Sequence, residues 1–291
     1  MLFPRLPMRA SISLRAFSTA RVSRTELAFQ VFGPENEAIQ RDPIVFLHGL
    51  FGSKQNNRSI SKALARDLKC RIYNLDLRNH GDSFHAPGHN YAVMAEDVQE
   101  FMEQHQIGKS VLIGHSMGAK VAMTVALCSP ERVSGLIPVD NAPVNAALKS
   151  DFPKYVRGMQ QVEQAKVSKQ SEADKILKEF EESLPIRQFL LTNLVRSEDN
   201  ILKFRVPLSV IGDSLNDMAD FPFSESEGKQ YHGPTLFVRG TRSRYVSDNT
   251  MPAIKTFFPN AQIADVEAGH WLISENPEGF RQAVLKFFGS L

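Results

Sequence analysis

Cysteine is scarce in this chain: two in 291 residues cannot make a disulfide framework. Cys70 opens a predicted strand and Cys128 ends a predicted helix, so both are expected as small core residues in a reducing compartment. No apolar run reaches the ~18 residues that a membrane span needs. Charge of one sign is missing as well. Lys and Arg number 34 against 32 Asp and Glu, a formal charge of +2, which gives no basic surface for nucleic acid or an anionic membrane. Metal-ligand spacing is also absent: His80, His85 and His89 fit no common pattern. Neither metal nor cofactor is expected.

One stretch lacks acids altogether. Residues 1–25 carry Arg5, Arg9, Arg15, Arg21 and Arg24 with four serines, and Glu26 is the first acidic residue. An Arg- and Ser-rich, acid-free leader without a long apolar centre has the composition of a mitochondrial transit peptide, and Arg15-Ala16-Phe17-Ser18 resembles a matrix-processing site. The expectation is a mitochondrial protein, in the matrix, whose fold begins near residue 26.

What is present is ordinary globular composition, with 42% apolar and 23% charged residues. The apolar runs 43–47, 71–77, 110–113, 133–140 and 234–239 read as strands, and a last one covers 262–267. Stretches with helical spacing at 59–69, 91–104, 119–127 and 277–288 alternate with them. That alternation predicts an α/β protein with a mostly parallel sheet covered by helices on both faces. The pattern is interrupted from 148 to 230, where Phe152, Tyr155, Val156 and Met159 form one helical stripe. Ile186, Phe189, Leu190, Asn193 and Leu194 form another. A core of 26–147 and 231–291 with a helical cap inserted over 148–230 is the predicted organisation.

The chemistry centres on Gly114-His115-Ser116-Met117-Gly118, set between a β-branched strand and a helix. That setting is what a G-x-S-x-G nucleophile turn requires. An activated serine also needs a base and oxyanion donors. His270, in Ala268-Gly269-His270-Trp271, supplies the base. The amide of Met117 and one from the loop His48-Gly49-Leu50-Phe51-Gly52 supply the donors. Serine first and histidine last is the chain order of the α/β-hydrolase fold. Asp76, Arg78 and Asp82 are expected to pair and hold the loop beside the site, and Trp271 to serve packing.

Together with Asp76-Leu77-Arg78-Asn79-His80-Gly81-Asp82-Ser83 and Leu191-Thr192-Asn193-Leu194-Val195, these motifs resemble a known family. It is the group of the mitochondrial α/β-hydrolase-domain-containing protein 11, related to yeast ethanol acetyltransferases and small bacterial esterases. The resemblance covers nearly all of the chain after residue 25. It implies a serine hydrolase acting on a small-molecule ester or acyl thioester, with transfer to an alcohol in some members. The oxyanion would rest on the amides of Leu50 and Met117. Most members of the fold carry the triad acid after the strand that here ends near Gly240. This chain has Ser243 there, and serine cannot stabilise an imidazolium by charge. Asp140, at the end of the strand after the nucleophile helix, is the expected acid, as the resemblance to the acetyltransferases and bacterial esterases also implies. Ser243 is an auxiliary and Asp248 a reserve. Three functions remain open at this point: esterase or thioesterase, alcohol acyltransferase, or a non-catalytic binding protein. No feature of the sequence sets an oligomeric state.

Overall fold

The computed structural model describes residues 26–34, 41–145 and 152–290. The leader and the first residues of the expected cap, 148–151, lie outside the described residues. Seven strands form one sheet: β1 (Phe29–Phe32), β2 (Ile44–Leu47), β3 (Ile72–Leu75), β4 (Ser110–His115), β5 (Val133–Val139), β8 (Thr235–Gly240) and β9 (Ala261–Val266). Their spatial order is β1-β3-β2-β4-β5-β8-β9, with β1 antiparallel to β3 and the rest parallel. All four residues of β2 and all six of β4 are buried. Strands covered on both faces can be apolar throughout, which is why their sequences read as continuous runs and not as alternation.

The helices α1 (Arg58–Leu68) and α11 (Pro277–Phe288) cover one face, where Ile44, Phe46, Val111, Ile113 and Val238 form a core with Leu64, Phe280 and Phe287. On the other face, α2 (Tyr91–Gln104), α3 (Met117–Cys128) and α9 (Met251–Phe257) pack on Val45, Leu47, Leu75, Leu112 and Phe237. Each such side chain taken fully out of water contributes about 1.5–3 kcal/mol. A last helical turn, α10 (Leu272–Glu275), precedes α11. Cys70 is buried as expected, but Cys128 is exposed. It falls on the last residue of α3, where the helix has passed beyond the core.

Between β5 and β8 the chain forms α4 (Phe152–Gln164), α5 (Gln170–Leu177), α6 (Leu184–Leu191), α7 (Leu208–Asp213) and α8 (Leu215–Ala219). This inserted segment is the cap. It also contains a small antiparallel hairpin, β6 (Leu194–Arg196) with β7 (Leu202–Phe204). The sequence reading extended the second apolar stripe through Asn193 and Leu194, but α6 stops at Leu191. Asn193 leaves the helix because its carbonyl accepts Arg205 N–H at 2.8 Å and its amide bonds elsewhere. Short polar side chains of this kind compete with helical hydrogen bonds.

Two buried lysines join cap and core. Lys120, on α3, donates to the carbonyls of Val144 (3.0 Å), Ala219 (2.9 Å) and Asp220 (2.8 Å), which lie after β5 and at the end of α8. Its ammonium also sits 5.3 Å from the Tyr91 ring centroid. Burial, partly opposed by Asp220, lowers its pKa to about 8. Lys54 instead bonds the Asp76 carboxylate and lies 2.6 Å from Asp82, which in turn pairs with Arg205 of the cap. Burial works against its charge, yet the two carboxylates together hold its pKa above the usual value. The expected pairing of Asp76, Arg78 and Asp82 is thus corrected. Lys54 is the partner of both acids, and Arg78 reaches Asp97 on α2, with one N–O distance of 2.7 Å.

Candidate active site

Following β2 the chain crosses to β3 on one side and returns to β4 on the other, so the order reverses between β2 and β4. Loops leaving adjacent strands at such a reversal diverge and open a crevice. Here the loop after β2 carries Gly49 and Leu50, and the turn after β4 carries Ser116. Ser116 has φ 53° and ψ −113°, a conformation that L-residues resist. A β-carbon on Gly114 would stand 2.1 Å from the Gly118 carbonyl oxygen, and one on Gly118 would stand 2.5 Å from the Leu47 carbonyl oxygen. Only glycine lets the turn close this tightly. Asn141 Nδ2 donates to Ser116 O at 3.1 Å and helps fix it.

Three side chains from separate strand ends converge. Ser116 Oγ lies 3.0 Å from His270 Nε2, and His270 Nδ1 lies 2.7 Å from Asp140 Oδ2. The structure thus brings together the three residues read from sequence as nucleophile, base and acid. Asp140 is fully buried and also has a left-handed backbone, φ 51°. Its other oxygen accepts Gly240 N–H at 3.1 Å, and Ser243 Oγ donates to Oδ2 at 2.5 Å. Ser243 therefore supports the carboxylate, not the imidazole. The reserve acid, Asp248, is almost wholly exposed and faces Arg239 at 3.5 Å.

Sequence reasoning missed the supports of His270. Tyr245 stacks on its ring with centroids 4.1 Å apart. His115 donates from Nε2 to its backbone carbonyl at 2.8 Å. Burial, with the neighbouring His270, lowers the His115 pKa to about 4, so this histidine is neutral at physiological pH. The interrupted motif 240–246 drew attention to a missing acid, and nothing in it marked an aromatic stack.

Leu50 and Met117 flank the crevice. Among the described residues, neither amide is used by a turn or loop carbonyl. Met117 N–H opens α3, where helix amides lack internal acceptors and attract negative charge. The β2 loop is braced by two buried histidines. His48 donates from Nδ1 to Gly49 O and accepts Leu77 N–H at Nε2, while His80 accepts Phe51 N–H at Nε2. Burial lowers the pKa of both. His80 is thus a loop brace, and among the described residues no group of three or more His, Cys, Asp or Glu is disposed to hold a metal.

A cleft of about 680 Å³ runs from Gly49 outward beneath α6. Ile186, Phe189 and Thr192 of the cap face Trp271 and Ile273 across it, and Phe189 and Trp271 rings lie 4.6 Å apart. Trp271, read from sequence as packing, is therefore part of the cleft wall. Among the described residues the charged side chain lining it is Glu275, itself bonded by Gly269 N–H and Arg242. A β-carbon on Gly49 would stand 3.3 Å from Ser116 Cβ, so Gly49, which lines the cleft, packs against the serine turn.

A serine on a strained strand-to-helix turn, bonded to a histidine and a buried carboxylate at the C-terminal rim of a parallel sheet, defines the α/β-hydrolase class. The model of the alpha/beta hydrolase fold family matches residues 42–277, and the chain belongs to that family. The sn-1-specific diacylglycerol lipase ABHD11 of Xenopus laevis is 42% identical over 254 residues, spanning 85% of this chain and 80% of that one. Ethanol acetyltransferase 1 of Kluyveromyces lactis is 32% identical over 290 residues, spanning 90% and 79%. Among solved structures, a marine microorganism esterase superposes with a TM-score of 0.83 at 31% identity, over 90% of this chain and 99% of that one. No helix among the described residues is long and apolar enough to cross a membrane.

Proposed function

We propose that this protein is a serine esterase or thioesterase that works through an acyl-enzyme on Ser116. The observation that carries the reading is the continuous Ser116–His270–Asp140 hydrogen-bond relay, at 3.0 and 2.7 Å. In the first step Ser116 Oγ bonds to the acyl carbon and its proton passes to His270 Nε2. Asp140 stabilises the imidazolium, and the amides of Leu50 and Met117 take the charge of the tetrahedral oxyanion. The leaving group departs with the proton from Nε2. Water, deprotonated by the same histidine, then releases the acid. The apolar, largely uncharged cleft supports a neutral acyl chain, in keeping with the lipase name of the Xenopus relative. Ser116→Ala should abolish labelling by a fluorophosphonate and lower kcat by up to about 10⁶. Near-normal turnover by the folded variant would overturn the proposal, and a wild-type protein inert to label and ester would favour a binding role.

The resemblance to ethanol acetyltransferase 1 supports a second reading, alcohol acyl transfer. An alcohol in place of water gives an ester from the same acyl-enzyme. Product analysis with and without ethanol separates the two, since dominant ester formation at modest ethanol concentration favours transfer. The leader composition supports a mitochondrial matrix location. Import into isolated mitochondria should shorten the chain by about 17–25 residues, and an intact Met1 on the mature cellular protein would overturn that.

A further inference from the structure

The turn that carries the Leu50 amide is held in part by the cap. Gly52 N–H donates to Gly49 O at 2.9 Å and closes the four-residue turn 49–52. Its third residue, Phe51, has φ 61°. A type II turn normally places glycine there, because a β-carbon is strained at positive φ. Such strain persists only where the surroundings hold it. Here two hydrogen bonds grip Phe51 on its two sides. Its N–H donates to His80 Nε2 at 3.1 Å, from the core, and its carbonyl accepts from Asn193 Nδ2 at 2.8 Å, from the cap.

Asn193 is well placed to act on that carbonyl. It is buried, two residues past the end of α6, and its own carbonyl is tied by Arg205 N–H. Arg205 also pairs with Asp82, whose partner Lys54 lies three residues beyond Phe51. The Phe51 ring meets Phe152 of α4 at 6.0 Å. Loop and cap are therefore fastened to each other around one strained residue. A helix cap alone would explain the bond from Nδ2 to Leu190 O, but that contact is the longer one, at 3.3 Å.

We propose that Asn193 is a positioning residue: its side-chain amide keeps Phe51 in the left-handed conformation, and this aims the adjacent Leu50 amide at the oxyanion. The oxyanion hole is then complete only while the cap is seated on the loop. The proposal rests on the reading of Leu50 as an oxyanion donor. No bond or proton changes at Asn193 during reaction. Because the oxyanion is absent from the bound substrate and forms only in the tetrahedral intermediate and the transition states beside it, the effect falls on kcat and spares substrate binding along the cleft.

The test is a double-mutant cycle on one activated ester, with urea melts to establish folding. Asn193→Ala should lower kcat by about tenfold to hundredfold with KM within about threefold of wild type. Affinity for an arylboronic acid, which adds to the serine as a tetrahedral anion, should fall in proportion. Asn193→Asp preserves size, but its carboxylate faces the Phe51 carbonyl without a donor, so it should lose at least as much and serves where the alanine variant is unstable. In a Phe51→Gly background the turn adopts positive φ without steric cost, and adding either Asn193 change should cost only about threefold. An unchanged kcat, a loss confined to KM, or the same fold-loss in both backgrounds would overturn the inference. With Ser116→Ala inactive in the same assay, those outcomes would leave the serine mechanism standing, whereas turnover surviving Ser116→Ala would remove that mechanism itself.

Discussion

The rim of the parallel sheet and the cap above it border the same cleft but are fixed by different physics. At the rim, Ser116, Asp140 and His270 leave the ends of strands or the loop after one, and each is pinned by polar bonds, Ser116 and Asp140 buried and His270 half-buried. The cap presents aromatic and aliphatic side chains, Phe189 and Ile186, and is joined to the rim at a few polar points. The two lysines at which core and cap are joined differ from each other in turn. Lys54 has carboxylates for partners and a raised pKa, while Lys120 has three carbonyls and a pKa lowered to about 8. A charge answered by charge is insensitive to pH over the physiological range, whereas one answered by dipoles costs more to keep.

The sharpest way to break that division is at the acid. Asp140→Asn removes the charge opposite His270 and is expected to lower kcat by about 10⁴. Ser243→Ala takes away one neutral donor to the same carboxylate and should cost about tenfold, while Asp248→Asn, on an exposed side chain, should cost nothing measurable. The kcat values of the three folded variants on one ester decide it, and a large loss at Asp248 with a small one at Asp140 would reverse the assignment.

The two joints give the next largest effect. Lys54→Met leaves the fully buried Asp76 without its cation and is expected to cost about 3 kcal/mol in urea unfolding. That penalty should be flat from pH 7 to 10, because a raised lysine pKa loses its contribution only above the unfolded value of about 10.4. Lys120→Met should cost about 1–3 kcal/mol near pH 7 through its three carbonyls. Its pH dependence has the opposite form. Between about pH 8 and 10.4 the folded wild type binds fewer protons than the unfolded chain, so wild-type stability rises with pH through this group. The gap between wild type and Lys120→Met should therefore widen by about 2 kcal/mol from pH 8 to 10. A gap that stays constant would show that Lys120 keeps an ordinary pKa, and one that narrows would show a raised pKa. A smaller effect than at the acid or the joints belongs to the cleft wall, where Phe189→Ala should raise KM severalfold for a long acyl chain and leave kcat near wild type.

How much of this was legible in the sequence differs along the same division. The α2 and α11 boundaries, 91–104 and 277–288, coincide with the observed helices, because each carries an asparagine at its start that accepts a first-turn amide. Ser116 and His270 stood out because their neighbours are constrained by backbone geometry, which leaves a local signature. Asp140 followed from a strand end and a missing acid elsewhere. The Lys54 pairings, the Tyr245 stack and the Asn193 bond to Phe51 join residues 22 to 142 positions apart. No local pattern encodes such contacts. The hairpin in the cap was missed for a related reason: three-residue strands are too short to show a period.

The exposed end of α3 turns this molecule into its own optical ruler. Cys70 is buried, with its thiol pushed up to about 11 by desolvation, whereas Cys128 lies open at the surface. A maleimide dye applied at neutral pH therefore attaches to one position without any engineered substitution. That position terminates the helix that begins beside Ser116, and its twelve residues span ~18 Å. A fluorescent phosphonate on the serine would sit at a fixed range from the dye, within the reach of resonance energy transfer. A third probe on the cap would then have two fixed references against which its position can be triangulated in the inhibited enzyme.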